Sequence, residues 1–145
     1  MPSTTKGITE MLNHFFGQQA AIAIGSPDTL YVGLATVVFT SATIDSAACN
    51  EVTGGSYARI AITNNDGDAT EWATVTTGTL LTSNTNPVVF VESTAAWGTV
   101  KTVFLSNVLS GAGSIFWYKN LTTPVVVGDN TIVTIAAGDL QVSMA

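Results

Sequence analysis

The segment Glu51-Val-Thr-Gly-Gly-Ser-Tyr-Ala-Arg59 gathers a carboxylate, a phenol and the sole arginine of the chain. Gly54 and Gly55 allow backbone angles closed to other residues, so a turn or bulge is expected there. An alternating strand should follow, with Tyr57, Arg59 and Ala61 on one face and Ala58, Ile60 and Ile62 on the other. The planar fork of Arg59 suits a carboxylate, either Glu51 or one supplied by a neighbouring subunit. This is chemistry of anchoring and recognition.

Bond-making chemistry is poorly supplied elsewhere. A Ser/His/Asp or Cys/His arrangement has a single possible base, His14, because the chain has one histidine. His14 reads as a helix-surface or interface residue, and Cys49 as a small buried hydrophobe. Metal sites built on His and Cys need clusters that the sequence lacks. Asn64, Asp66 and Asp68 have the spacing of oxygen ligands in a calcium loop. Ala69 stands where an EF-hand needs Gly, and Val75 where it needs an acid. A polar hairpin turn is the plainer reading of that stretch. Carboxylates for glycoside chemistry cannot be paired, since the acids are isolated in turns. Trp72, Trp97, Trp117 and Tyr118 offer stacking area for a carbohydrate, but they share no obvious strand face and read as core. Trp97, just before Gly98, suits a packing plug at a loop. The reading is therefore of a protein that is not an enzyme and uses no cofactor.

The elements that must position these residues are mostly strands. Ile8, Met11, Leu12, Phe15 and Phe16 follow the stripe of a short amphipathic helix, with Thr4 or Thr5 to cap it and Gly17 to end it. About three turns are too few to stand alone, so this helix must dock on its own domain or on a neighbour. After it, strands are expected at 30–36, 56–63, 71–77, 87–91, 100–108, 114–118, 124–127, 131–136 and 140–144, separated by Gly, Pro, Asn and Asp turns. The Ser110-Gly-Ala-Gly113 turn should join two of them as a hairpin. The pattern predicts a mainly β chain: a single antiparallel β-sandwich or barrel-like domain at 18–145, preceded by an arm and helix at 1–17. No repeat or linker divides it.

Composition points to assembly. Of 145 residues 46% are hydrophobic and only 10% charged, against about 25% charged in an ordinary soluble domain. A surface this poor in charge is expected to be covered by partners, as in a homo-oligomer or a lattice. Four bases, Lys6, Arg59, Lys101 and Lys119, against ten acids form no stripe for nucleic acid. No run reaches the ~18 apolar residues of a membrane span, and Glu10, Asn13 and His14 interrupt any signal-peptide core. Synthesis in the cytoplasm, with no nucleic-acid or membrane partner, is the expectation.

Several pieces occur in order along the chain: Thr29-Leu-Tyr-Val-Gly-Leu-Ala-Thr36, the 51–59 segment, Ala96-Trp-Gly-Thr-Val100, Leu121-Thr-Thr-Pro124 through Gly128-Asp129, and 136–140. Together with Leu12-Asn-His14, they resemble small tailed-bacteriophage virion structural proteins, often labelled tail-fibre-like. The 51–59 and Trp97-Gly98 pieces are the most specific. The resemblance implies a virion location and two competing roles. One is a capsid decoration or cement protein, commonly trimeric, that binds the major capsid protein from outside. The other is a tail or fibre component among tail proteins. Small size and the absence of heptads favour cement. A carbohydrate-binding module is the third reading. Candidate interface residues are Ile8, Leu12, Phe15 and Phe16 in the helix, with Gly54, Gly55, Tyr57, Arg59, Trp97 and Gly98 in the two specific pieces.

Overall fold

The computed structural model describes residues 28–42, 49–64, 71–73 and 81–143. The expected helix, the arm and the 65–70 loop with its calcium-like spacing lie outside them, as does most of the 71–77 strand. The described residues are mainly β, with no helix among them.

Eight strands follow in chain order: β1 (Asp28–Ala35), β2 (Ile60–Asn64), β3 (Leu81–Ser83), β4 (Val88–Val89), β5 (Gly98–Ser106), β6 (Ile115–Val127), β7 (Thr134–Ile135) and β8 (Gln141–Ser143). An antiparallel sheet runs β2-β1-β5-β6, and two ribbons pair β3 with β8 and β4 with β7. The described sheets are open, so the barrel-like alternative is not met: no described pairing joins β2 to β6.

Alternation along the central strands places side chains on both faces of the main sheet. Val32 and Leu34 of β1, with Val103 and Leu105 of β5, join Ile62, Val88, Phe90, Trp97, Leu140 and Val142 in the larger core, which draws on all three sheets. On the other face Ala35, Phe39, Cys49, Phe104, Ile115 and Tyr118 form a smaller one. Phe39 lies 5.7 Å from Phe104 and 5.9 Å from Tyr118, ring centre to ring centre. Asn120 fastens the 36–42 loop beneath it: its Oδ1 accepts from Phe39 N at 2.9 Å and its Nδ2 donates to Phe39 O at 2.8 Å.

Gly33 lies opposite Phe104 in register, and the ring fills the space where a side chain would stand. A Cβ there would sit 2.2 Å from Phe104 Cζ. Gly33→Ala must displace a fully buried ring, a change that typically costs about 1–3 kcal/mol in a packed core. A lowered urea midpoint is expected, with an unchanged m-value. An unchanged midpoint would mean the ring moves freely.

Two strand expectations need correction. Residues 114–118 and 124–127 are one strand, not two. β6 runs 13 residues through Pro124. Its pairing with β5 jumps from Thr102↔Asn120 to Val100↔Val125, so a bulge takes up residues 121–124. A proline fits there because an edge strand at a bulge needs no N–H from it. The second correction concerns residues 56–59, which precede β2. Gly54, Gly55 and Ser56 all have positive φ, at 75°, 55° and 64°, and this left-handed run delays the strand to Ile60.

Candidate functional site

The 51–59 segment closes on itself and on the β5–β6 hairpin. Arg59 is buried, and its guanidinium uses all five N–H groups. Nε and Nη2 grip Glu51 Oε1 and Oε2 at 2.7 and 2.6 Å. Nη1 donates to Val108 O at 2.8 Å and to Ser106 Oγ at 3.3 Å, and Nη2 also reaches Gly111 O at 3.2 Å. The same guanidinium stands 5.3 Å from the Phe104 ring centre, a favourable cation–π geometry. Tyr57 completes the network. Its hydroxyl donates to Glu51 Oε1 at 2.8 Å and accepts from Leu34 N of β1 at 2.8 Å. One carboxylate thus fixes a phenol and a guanidinium, and through them a strand and a hairpin loop.

The second specific piece locks onto the first. Trp97 is buried, and its indole N–H donates to Gly55 O at 2.9 Å, a carbonyl that also accepts from Thr94 N at 3.0 Å. Its ring meets Tyr57 edge-on at 5.3 Å and Phe90 at 6.2 Å, while Tyr57 stacks on Phe90 at 6.1 Å. Gly55 is required by that approach: a Cβ would lie 2.7 Å from Ala95 O and 2.8 Å from the indole nitrogen. Gly98 then opens β5 opposite Val127.

Beside this network lies a cleft of about 420 Å³, lined by residues that include Glu51, Thr53, Tyr57, Leu109 and Ser110. Its charged floor is already neutralised, because Glu51 and Arg59 pair with each other. The arrangement is saturated with internal partners and holds backbone in place. It presents no nucleophile with an oriented base.

A profile of the family described as Podophage GP4 fiber I protein gp80 matches residues 3–143. The chain belongs to that family. Both specific pieces fall within the match. No curated protein matches the chain. Membership makes this fibre-family protein a phage virion structural protein, and hence a part of the virion.

In the fibre-family protein, the structure brings together Gly54, Gly55, Tyr57, Arg59 and Trp97. Ile8, Leu12, Phe15 and Phe16 lie outside the described residues. Tyr57 and Arg59 face their own domain, and the partner of Arg59 is Glu51. Sequence reasoning missed Ser106, Val108, Gly111 and Leu34, which take part through hydroxyl or backbone groups that carry no residue-type signal. The four aromatic residues all take part in core packing. Trp97 belongs to the larger core and Tyr118 to the smaller, with Trp72 and Trp117 packed against the larger.

Cys49 forms no disulfide and is buried beside this network. Burial, and then the negative charge of Glu51, push its thiol up to about 11 from 9.0. Burial and Glu51 likewise raise the Tyr57 phenol. Burial works most strongly against the charged Arg59, but its hydrogen bonds to Glu51 and the attraction of nearby negative charge, Glu51 foremost, together outweigh it and raise its pKa. Two outcomes follow. Thiol reagents at pH 8 should label Cys49 at least ~100-fold more slowly in the folded chain than in urea, two pKa units in thiolate alone. Folding stability should also fall with alkali. For acids whose folded pKa is raised, the contribution is present below the unfolded pKa and lost as pH rises through the folded one. The loss begins near pH 9 for Cys49 and continues toward pH 11, with Tyr57 adding to it above pH 10. Urea midpoints at pH 8 and pH 10.5 test this. Equal midpoints, or rapid native labelling, would contradict the burial described.

Proposed function

We propose that this chain is a non-enzymatic component of a phage fibre, held in the virion as a homo-oligomer, a trimer in our reading, and bound to tail proteins. The observation that carries the reading is the match to a fibre-protein family over residues 3–143. The saturated Glu51–Tyr57–Arg59 network supports it, because this polar cluster is spent on holding the chain's own backbone. Five donors on one guanidinium leave none for a ligand.

A specific observation favours a second reading, a capsid decoration protein that binds the major capsid protein and stabilises the shell. The chain shows neither the repeats nor the heptads by which a fibre extends. Electron microscopy of particles labelled with antibody to this chain separates the two. Label confined to fibres or the tail supports the fibre reading. Label distributed over the shell supports decoration, and particles lacking the chain should then lose heat resistance. Unlabelled particles that nevertheless contain the protein would place it inside and defeat both.

A further inference from the structure

Two stretches distant in sequence meet on one buried guanidinium. The first, 49–57, lies along β1: Asn50 O accepts from Thr36 N at 3.1 Å and Val52 N donates to Leu34 O at 3.0 Å. Its Glu51 carboxylate grips Arg59, and its Tyr57 hydroxyl accepts from Leu34 N. The second is the loop 107–113 at the tip of the β5–β6 hairpin. Asn107 closes its neck: the N–H donates to Ser114 O at 3.3 Å, and Oδ1 accepts from Ser114 N at 2.8 Å. Above the neck, Val108 O and Gly111 O accept from Arg59. Leu109 stands 55% exposed at the tip, beside an exposed Ser110. The cleft is lined from both stretches, by Thr53, Gly54 and Tyr57 and by Leu109 and Ser110.

Lifting either stretch alone is costly. If the loop leaves, Nη1 and Nη2 lose two carbonyl acceptors while the guanidinium remains buried against Glu51 and the Phe104 ring. If 49–57 leaves, Arg59 loses its counter-charge while still held beneath the loop. A buried donor or charge stripped of its partner bears the full desolvation penalty. When both stretches lift together, water reaches the guanidinium and takes over the lost bonds. Local opening in proteins proceeds in such cooperative units.

We infer that 49–57 and 107–113 form a single latch pinned by Arg59, which opens and closes the cleft as one unit. The device couples the hairpin tip to β1. Displacing the tip frees Arg59 and Glu51, and through Tyr57 it frees Leu34 N; by linkage, release at β1 loosens the tip equally. The latch is a property of the fold, so the fibre reading can fail without touching it.

Cys49 is a built-in reporter: it is the sole cysteine, and it is buried at the start of the first stretch. Its labelling by a maleimide, without denaturant, is compared between the full-length chain and three variants. Asn107→Ala touches only the neck of the loop, yet it should speed labelling of Cys49 about tenfold, the scale of one lost hydrogen bond. Asn107→Asp keeps an acceptor for Ser114 N and should label at the original rate. Val142→Ala removes packing from the larger core outside the latch. It should lower the urea midpoint and leave native labelling unchanged. Two results would overturn the inference. Labelling of Asn107→Ala at the original rate would mean that 49–57 opens without the loop. Faster labelling of Val142→Ala, in proportion to its lost stability, would mean that Cys49 is reached only by global unfolding.

Discussion

Replacing Arg59 by alanine is expected to cost about 3–5 kcal/mol of folding free energy, the usual penalty for stripping one partner from a buried ion pair. The guanidinium is nearly inaccessible, with its side chain 1% exposed against 17% for Glu51, so solvent cannot replace what it gives. Alanine would leave the Glu51 carboxylate with only the Tyr57 hydroxyl. It would also strip the Val108 and Gly111 carbonyls of a donor. A domain holds roughly 5–15 kcal/mol in total, so much of the chain would be unfolded at moderate urea. Arg59→Lys should recover little, because one ammonium offers three donors without the planar fork. Glu51→Ala/Arg59→Ala together should cost less than the sum of the single changes, since the double variant leaves no unpaired charge. Urea denaturation of the four proteins measures this. Additive losses would show that the pair does not act as a unit.

Trp97→Ala should be of similar size, about 3–5 kcal/mol for a large buried aromatic. It empties the space against Tyr57 and Phe90 and removes the donor to Gly55 O. Trp97→Phe keeps much of the packing and deletes the hydrogen bond, so it should cost only about 1–2 kcal/mol. The ordering matters more than either value. If Phe is as damaging as Ala, the indole N–H to Gly55 O bond, rather than ring packing, holds the turn.

Much of the strand pattern was legible, and the failures share a cause. β1 and β5 stand out because β-branched and apolar residues dominate them between turn residues. β6 reads as two segments in the sequence because Pro124 looks like a break. Only the three-dimensional position of that strand, at the sheet edge with a bulge, makes the proline harmless. β2 starts later than its sequence suggests because Ser56 continues the left-handed run of Gly54 and Gly55, which a serine does not announce. In the network, Glu51 was identifiable as a partner for Arg59 because both are charged and eight residues apart. The carbonyls of Val108 and Gly111, 49 and 52 residues from Arg59, are backbone groups that any sequence possesses. The meeting of the 51–59 piece with Trp97 is equally hidden in the sequence, though each piece is distinctive by itself. The segment that looks most like an active loop is an internal clamp.

The measurement that bears most directly on this account is quantitative mass spectrometry of purified phage particles, with the major capsid protein as internal standard. The account predicts that the chain copurifies with particles in multiple copies at a fixed ratio to capsid protein, and that Arg59→Ala lowers that ratio. Finding the chain only in the lysate, and absent from purified particles, would contradict it.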